Sequence, residues 1–205
     1  NYIYQSIFGT NPSQMYSAGL SFNYDKYDED FCDPVFNYGE DISTDFINMK
    51  REERVPGAFF QYTGEFLDQR FIVMAGLRYD YHNIFGSIWT PRAHIMYKPD
   101  EFTSIKATLG RGLRTPNILA ENSYLLASAA NFYVNGELLG KNPALLDDLK
   151  MEDSWNFGAN VNRKFEVFGR TLNINLDYYH TKFNDQVVVD NETAYNKVNF
   201  YNLDG

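Results

Sequence analysis

Along much of the chain apolar and polar residues alternate one by one, the period of a strand whose two faces meet different surroundings. From Thr171 to Thr181, Thr171, Asn173, Asn175, Asp177 and Thr181 share one face, and Leu172, Ile174, Leu176 and Tyr178 the other; Tyr179 alone breaks the polar set. Met151 to Asn162 sets Glu152, Ser154, Asn156, Gly158, Asn160 and Asn162 against Trp155, Phe157, Ala159 and Val161. Within Phe71 to His82, Arg78, Asp80 and His82 oppose Val73, Ala75, Leu77, Tyr79 and Tyr81. Ser13 to Tyr24 alternates likewise, Arg54 to Phe66, Pro91 to Lys98 and Phe102 to Arg114 do so more weakly, and Tyr2 to Phe8 adds an eighth segment. The pattern predicts about eight strands of about ten residues, a length that crosses a bilayer when tilted. Strands of soluble proteins more often have about five or six.

The connections sort into two kinds that alternate. Gly9 to Pro12, Leu67 to Gln69, Pro99 to Glu101 and Lys164 to Gly169 read as short turns. Between them come long links at Asp25 to Glu53, Asn83 to Thr90, Thr115 to Lys150 and Asn184 to Lys197. Such parity belongs to a barrel with short periplasmic turns and long extracellular loops, the latter placed at about 25–53, 115–150 and 184–197. Tyr79, Tyr81, Trp155 and Tyr178 then lie near the long-loop ends of their strands, where an aromatic girdle forms. A soluble antiparallel domain also alternates, but a small packed barrel needs an apolar interior. The amides here imply a wide, wet or plugged lumen.

Composition sharpens this reading. The 205 residues include 16 Tyr and 17 Phe, abundant where rings sit in an apolar layer with a wet edge. No run approaches the ~18 apolar residues of a membrane-spanning helix. The chain opens without a basic and then apolar leader, so any export signal is expected outside it. A net charge of -9 with no basic cluster argues against nucleic acid as a partner. The single cysteine, Cys32, has no partner for a disulfide or a cysteine zinc site.

Three groups of residues then point to a family. They are Ala75-Gly76-Leu77-Arg78-Tyr79-Asp80, Pro91-Arg92, and Gly110-Arg111-Gly112-Leu113-Arg114-Thr115-Pro116. Their succession resembles the barrel signatures of TonB-dependent receptors: a Gly-Leu-Arg-Tyr-Asp strand, a Pro-Arg strand, and a strand ending Gly-x-Gly-Phe-Arg-x-Pro. Met151-Glu152 to Gly158, Asp177-Tyr178-Tyr179 and Asn202 to Gly205 continue the resemblance, which covers most of the chain from about Val55. Leu113 stands where the family usually has Phe, and Asn156 where Glu is frequent. The resemblance implies an all-β antiparallel transmembrane barrel. Residues 1–205 form part of it, about eight strands against ~22 in plugged transporters. It also implies an N-terminal plug with a TonB-engaging segment, neither visible in these residues.

Candidate sites follow from faces and links. Arg78, Asp80, His82 and Arg92 are expected to project to the lumen, pairing with one another or meeting the plug. His82 and His94 share that face and could approach across neighbouring strands. Trp89, Arg114, Tyr124, Phe132 and Tyr133, at or near the long links, are candidate ligand contacts, since rings stack on flat ligand faces while polar groups fix orientation. The acidic stretch Asp28-Glu29-Asp30, Asp33, Glu40, Asp41 and Asp45 is expected to be a solvated loop, because its spacing matches no calcium-binding motif. No enzyme signature occurs, and no catalytic residue, metal site or cofactor is expected.

The function implied is TonB-dependent import of a scarce nutrient (siderophore, cobalamin, glycan or peptide) across the outer membrane of a Gram-negative bacterium. Lipid and lipopolysaccharide, TonB and a surface lipoprotein are the partners that reading carries. A passive pore or structural barrel subunit is the alternative, and a soluble β-rich binding domain a further one.

Overall fold

The computed structural model describes residues 2–11, 13–34, 44–127, 130–139, 142–194 and 196–204. The strands are β1 (Tyr2–Asn11), β2 (Gln14–Pro34), β3 (Thr44–Phe66), β4 (Phe71–His82), β5 (Gly86–Tyr97), β6 (Thr103–Arg114), β7 (Asn131–Val134), β8 (Glu137–Leu138), β9 (Glu152–Val167), β10 (Arg170–Asp190) and β11 (Lys197–Asp204). Between β6 and β9 lie a short helix, α1 (Ile118–Glu121), and 3-10 turns at Ser123–Ala127 and Pro143–Asp148. Among the described residues these eleven strands form one sheet in the order β1-β2-β3-β4-β5-β6-β9-β10-β11-β7-β8. No described helix is long and apolar enough to cross a membrane.

Two compact units share these strands. The first comprises Asn1–Asn23, Arg54–Gly112 and Ser154–Lys182, and it contains all eight strands expected from the alternation. Its ladders are antiparallel meanders: Tyr2 faces Phe22, Gly57 faces Asp80, Gly76 faces Arg92 and Arg92 faces Gly110. Backbone bonds tie the short turns to their neighbours, Glu65 N–H to Ser13 O (2.7 Å), Lys98 N–H to Arg70 O (2.7 Å) and Lys164 N–H to Phe102 O (2.9 Å). The β9–β10 turn is two residues, Phe168 and Gly169, with φ of 50 and 69. Both central residues are thus left-handed, the type I′ geometry that matches strand twist.

Burial in this unit inverts the usual order. Tyr4, Phe8, Leu20, Phe60, Leu77, Leu172, Ile174, Leu176 and Tyr178 are exposed, whereas Ser17, Ser21, Asp80 and His82 are buried. A water-soluble domain does not leave so wide an apolar face bare.

Several of the expected boundaries move: β9 continues to Val167, which cuts the Lys164 to Gly169 turn to two residues, and β10 runs on to Asp190, which shortens the Asn184 to Lys197 link to 191–196. Asn83 to Thr90 is no long link: β4 ends at His82, a three-residue turn follows, and β5 begins at Gly86. Pro91 therefore lies inside β5 opposite Leu77. The β5–β6 register stops at Arg92, one residue short of Pro91, which has no N–H to give. Beyond that point the Arg111 side chain donates to Trp89 O (3.0 Å) and bridges the gap. Around Asp25 to Glu53, β2 continues to Pro34 and β3 begins at Thr44; Glu40 and Asp41 lie outside the described residues.

The second unit, Tyr24–Glu53, Leu113–Asp153 and Phe183–Gly205, is built the ordinary way around. Ile118, Leu119, Leu125, Phe132, Val134, Leu139, Leu146, Leu149, Val198 and Phe200 form its core, with Phe132 and Phe200 stacked at 6.1 Å. β7 adds to β11 in parallel, Phe132 opposite Val198, and turns back into β8 through Asn135-Gly136, both at positive φ.

Candidate functional site

On the polar face of the first unit, Arg78 and Asp80 sit two residues apart on β4 and so point the same way. The Arg78 guanidinium donates to both Asp80 oxygens (2.6 and 2.7 Å) and to Ser21 Oγ on β2 (2.8 Å). β3 lies between, and the contact is open because Gly57 has no side chain: a Cβ there would collide with the Asp80 carboxylate and crowd Ser21. Arg92 on β5 reaches back to Gln61 Oε1 (2.9 Å). The structure thus joins Arg78 and Asp80, expected lumen residues, in one fork, and seats Arg92 in a separate pair. His82 is buried, its Nδ1 accepting the Ile84 N–H (3.2 Å) and its ring edge-on to Phe85. It therefore fastens the β4–β5 turn.

His82 and His94 do not meet. His94 lies opposite Met74, eight residues along β4 from His82, about 27 Å at strand rise.

Further along the same face, β6, β9 and β10 line a shallow polar groove of about 450 Å³. Its floor is held by amides, Asn160 donating to Asp177 (2.6 Å) and Asn162 to Asn175, and the same amide ladder continues outside the groove, from Asn162 to Asn173 (2.8 Å) and from Thr181 to Asn156 (2.7 Å). Lys106, Thr108 and Tyr179 complete the groove. Tyr179, the exception in the alternation, lies over Gly158, where a Cβ would touch its ring. Phe59 covers Gly19 in the same way. An aromatic placed across from a strand glycine restores packing that the glycine lacks.

The candidate ligand residues disperse. Trp89 lies within β5, on the face of Tyr79 and Tyr81 and opposite that of Asp80; its ring packs on Tyr79 at 4.5 Å. Phe132 is 1% exposed, inside the second unit's core. Tyr133, its neighbour on the other side of β7, remains accessible and carries Lys197 Nζ over its ring at 5.0 Å. Tyr124 is 68% exposed. Arg114 is held by Glu152 (2.5 Å) and Glu121 (3.2 Å).

Several residues of this second unit had no distinguishing pattern in the sequence. Glu152 also accepts the Val187 N–H (3.1 Å), and Lys150 pairs with Asp185 (3.2 Å). Buried Arg51 pairs with Glu53 (2.9 Å), approaches Asp147 (3.9 Å) and donates to Pro116 O (3.5 Å). Tyr27, packed against the core beside Glu53 and Asp25, has its phenol raised above the ordinary value, by burial first and those carboxylates second. Among the described residues no group of three or more His, Cys, Asp or Glu is placed to hold a metal ion.

A sheet with one bare apolar face, one polar face cross-linked by amides and an Arg–Asp fork, and tight turns is the wall of a membrane β-barrel. The chain belongs to the TonB dependent receptor-like β-barrel family, whose profile matches residues 1–205. It is 26% identical over 157 residues to the probable TonB-dependent siderophore receptor PirA of Acinetobacter baumannii, a match covering 74% of this chain and 19% of that protein. With the ferrienterobactin receptor of Escherichia coli it shares 32% over 94 residues, 42% of this chain and 11% of the relative. The siderophore receptor PirA of Pseudomonas aeruginosa superimposes with a TM-score of 0.65 at 16% identity, covering 98% of this chain and 33% of that one. The chain therefore spans about a fifth or less of the curated relatives it matches, and about a third of that solved structure.

Proposed function

We propose that this chain is part of the wall and surface loops of a TonB-dependent outer-membrane transporter that imports a ferric siderophore in a Gram-negative bacterium. The observation that carries the proposal is the family match over residues 1–205, joined to relatives named as siderophore and ferrienterobactin receptors. In this reading the apolar face meets lipid and, in the outer leaflet, lipopolysaccharide. Arg78, Asp80, Arg92 and the amide ladder face the lumen and the plug. The turns that follow β1, β3, β5 and β9 are periplasmic, the short β4–β5 turn lies at the opposite rim, and the second unit is a preformed surface element. TonB acts through the plug, and the role of the residues here is binding and passage, with no chemical step. Cobalamin, glycan and peptide lose ground to siderophore because neither named relative points to them.

Ligand contact narrows accordingly. Tyr124 presents an exposed ring, Tyr133 a partly exposed one beneath Lys197, and Arg114 a half-exposed guanidinium paired with Glu121 and Glu152, whereas Phe132 is spent on the core and Trp89 on the apolar face. Aromatic faces and a guanidinium suit an anionic, ring-bearing chelate.

Cells lacking the gene, grown under iron limitation, test the reading through uptake of a panel of radiolabelled ferric siderophores. The expected result is loss of uptake of one chelate class, restored by the intact gene and weakened by Tyr133→Ala with Tyr124→Ala. Unchanged uptake of every chelate, with loss of a different nutrient, would overturn it.

A further inference from the structure

The β9–β10 hairpin ends in an arrangement that the fold of this chain leaves unexplained. Phe168 occupies the first central position of the type I′ turn at φ 50, where Asn, Asp or Gly is favoured. Its side chain is 101% exposed, so no packing within the chain offsets the backbone cost. The hairpin also projects. Lys164 N–H bonds to Phe102 O at the neighbouring turn, and the chain continues four further residues to Phe168 before reversing. That projecting part is apolar, with Phe165, Val167 and Leu172 all exposed.

Face assignment adds charge to this tip. Asn162, Asn173 and Asn175 mark the polar face, so strand alternation puts Arg163, Phe165, Val167, Arg170 and Leu172 on the apolar one. Arg163 sets its guanidinium over the Phe165 ring at 5.2 Å. Between residues 163 and 170 stand Arg163, Lys164 and Arg170 against Glu166, three cations less one anion, or +2. The β3–β4 turn has Arg70 against Glu65 and Asp68, or -1, and the β5–β6 turn has Lys98 against Asp100 and Glu101, also -1. Exposed rings with arginines on the same face match a membrane interface, where rings enter the acyl boundary and cations stay among headgroups.

We propose that the β9–β10 tip is a membrane-interface anchor for anionic phospholipid: Phe165, Val167 and Phe168 enter the acyl boundary of the periplasmic leaflet, and Arg163 and Arg170 hold the headgroup phosphate. This rests on the outer-membrane reading above and adds a lipid class and a site to it. The bare apolar band of the wall runs directly into the tip, through Val161, Leu176 and Ile174, and selects lipid over a soluble phosphate or a periplasmic protein.

The test uses the whole receptor carrying Phe168→Trp, reconstituted in phosphatidylethanolamine vesicles containing brominated phosphatidylglycerol. The emission added by the new tryptophan is expected to be quenched by the brominated lipid and shielded from aqueous iodide. Arg163→Gln with Arg170→Gln should abolish the preference for brominated phosphatidylglycerol over brominated phosphatidylcholine. Phe168→Asn, which favours the turn, should keep the melting temperature in detergent while losing the rise that phosphatidylglycerol gives the parent. Quenching by iodide and not by lipid, the result a protein-docking tip would give, overturns the anchor. A reconstituted protein with no heat-modifiable band overturns the barrel reading as well, which separates the two failures.

Discussion

The two units of this chain solve the same problem in opposite ways. In the second, Phe132, Val134, Val198 and Phe200 are hidden from water. In the first, Leu172, Ile174, Leu176 and Tyr178 stand bare, while Ser17, Ser21 and Asp80 are covered. The residue types hardly differ, and β2, β3, β9 and β10 contribute to both units. What differs is the solvent each segment is built for. In lipid the apolar face gains nothing by turning inward, so the wall coheres through backbone ladders and the polar network of its other face. The second unit instead hides its apolar residues in a dry core, the ordinary outcome of the hydrophobic effect.

The sharpest way to break that contrast is Phe200→Ala. Removing a fully buried ring from a packed core costs about 3–5 kcal/mol. Limited proteolysis of intact cells should then cleave within residues 113–153, while the wall keeps its heat-modifiable band. Loss of that band together with the loop would mean that the two units fold as one. A slightly smaller effect is expected from Leu176→Arg on the bare face. A cation at mid-bilayer costs about 2–4 kcal/mol in barrels, whereas an exposed Leu→Arg change in water is close to neutral. Unfolding in lipid vesicles reads the difference, and a shift in urea midpoint near zero would remove lipid from this face.

Legibility in the sequence divides along the same line. The wall was readable because a face in lipid against a face in a polar interior enforces alternation residue by residue, so all eight strands of the first unit were foreseen. Its one irregularity, Tyr179, has its cause on the neighbouring strand at Gly158, which no single-segment pattern contains. The strand character of 86–90 is hidden in the sequence because Pro91 can donate no ladder bond, whereas in the structure the side chain of Arg111 bridges the gap beside it. The second unit was largely illegible. Its leucines, Leu119, Leu139, Leu146 and Leu149, keep no sustained period, and ion pairs such as Arg114–Glu152 and Lys150–Asp185 join residues distant in sequence. One signal was present: Asn135-Gly136 between two short apolar runs is a type I′ hairpin turn. Reading it would have placed Phe132 and Val134 on one face of a strand, hence in a core, and left Tyr133 as the accessible ring.

Within the wall, Gly57→Val probes whether the polar face is as closely fitted as the apolar face is loose. The added Cβ meets the Asp80 carboxylate and Ser21 Oγ, so the Arg78 fork must open. Overpacking of this kind costs about 1–3 kcal/mol. The expected result is a lower melting temperature in detergent, partly restored by Asp80→Ala in the Gly57→Val background. A Gly57→Val protein that melts with the parent would show that the fork is not a packed element.

The smallest effect belongs to a turn, where neither lipid nor core intervenes. Asp100 accepts the Phe102 N–H (2.8 Å) and the Thr103 hydroxyl (3.1 Å). The backbone bond from Phe102 first, and the Thr103 hydroxyl second, hold its carboxyl below the ordinary 3.8. A carboxylate depressed on folding contributes stability that is present above the unfolded value and lost as pH falls through the folded one. The β5–β6 turn should therefore loosen only below about pH 4, as faster amide hydrogen exchange at Phe102 and Thr103 in the detergent-solubilised protein. Asp100→Asn retains an acceptor but removes the charge, so its exchange rates, corrected for intrinsic chemistry, should be flat across the same range. If the parent's corrected rates are equally flat, the carboxylate is not the latch, and this turn is held by the strands that flank it.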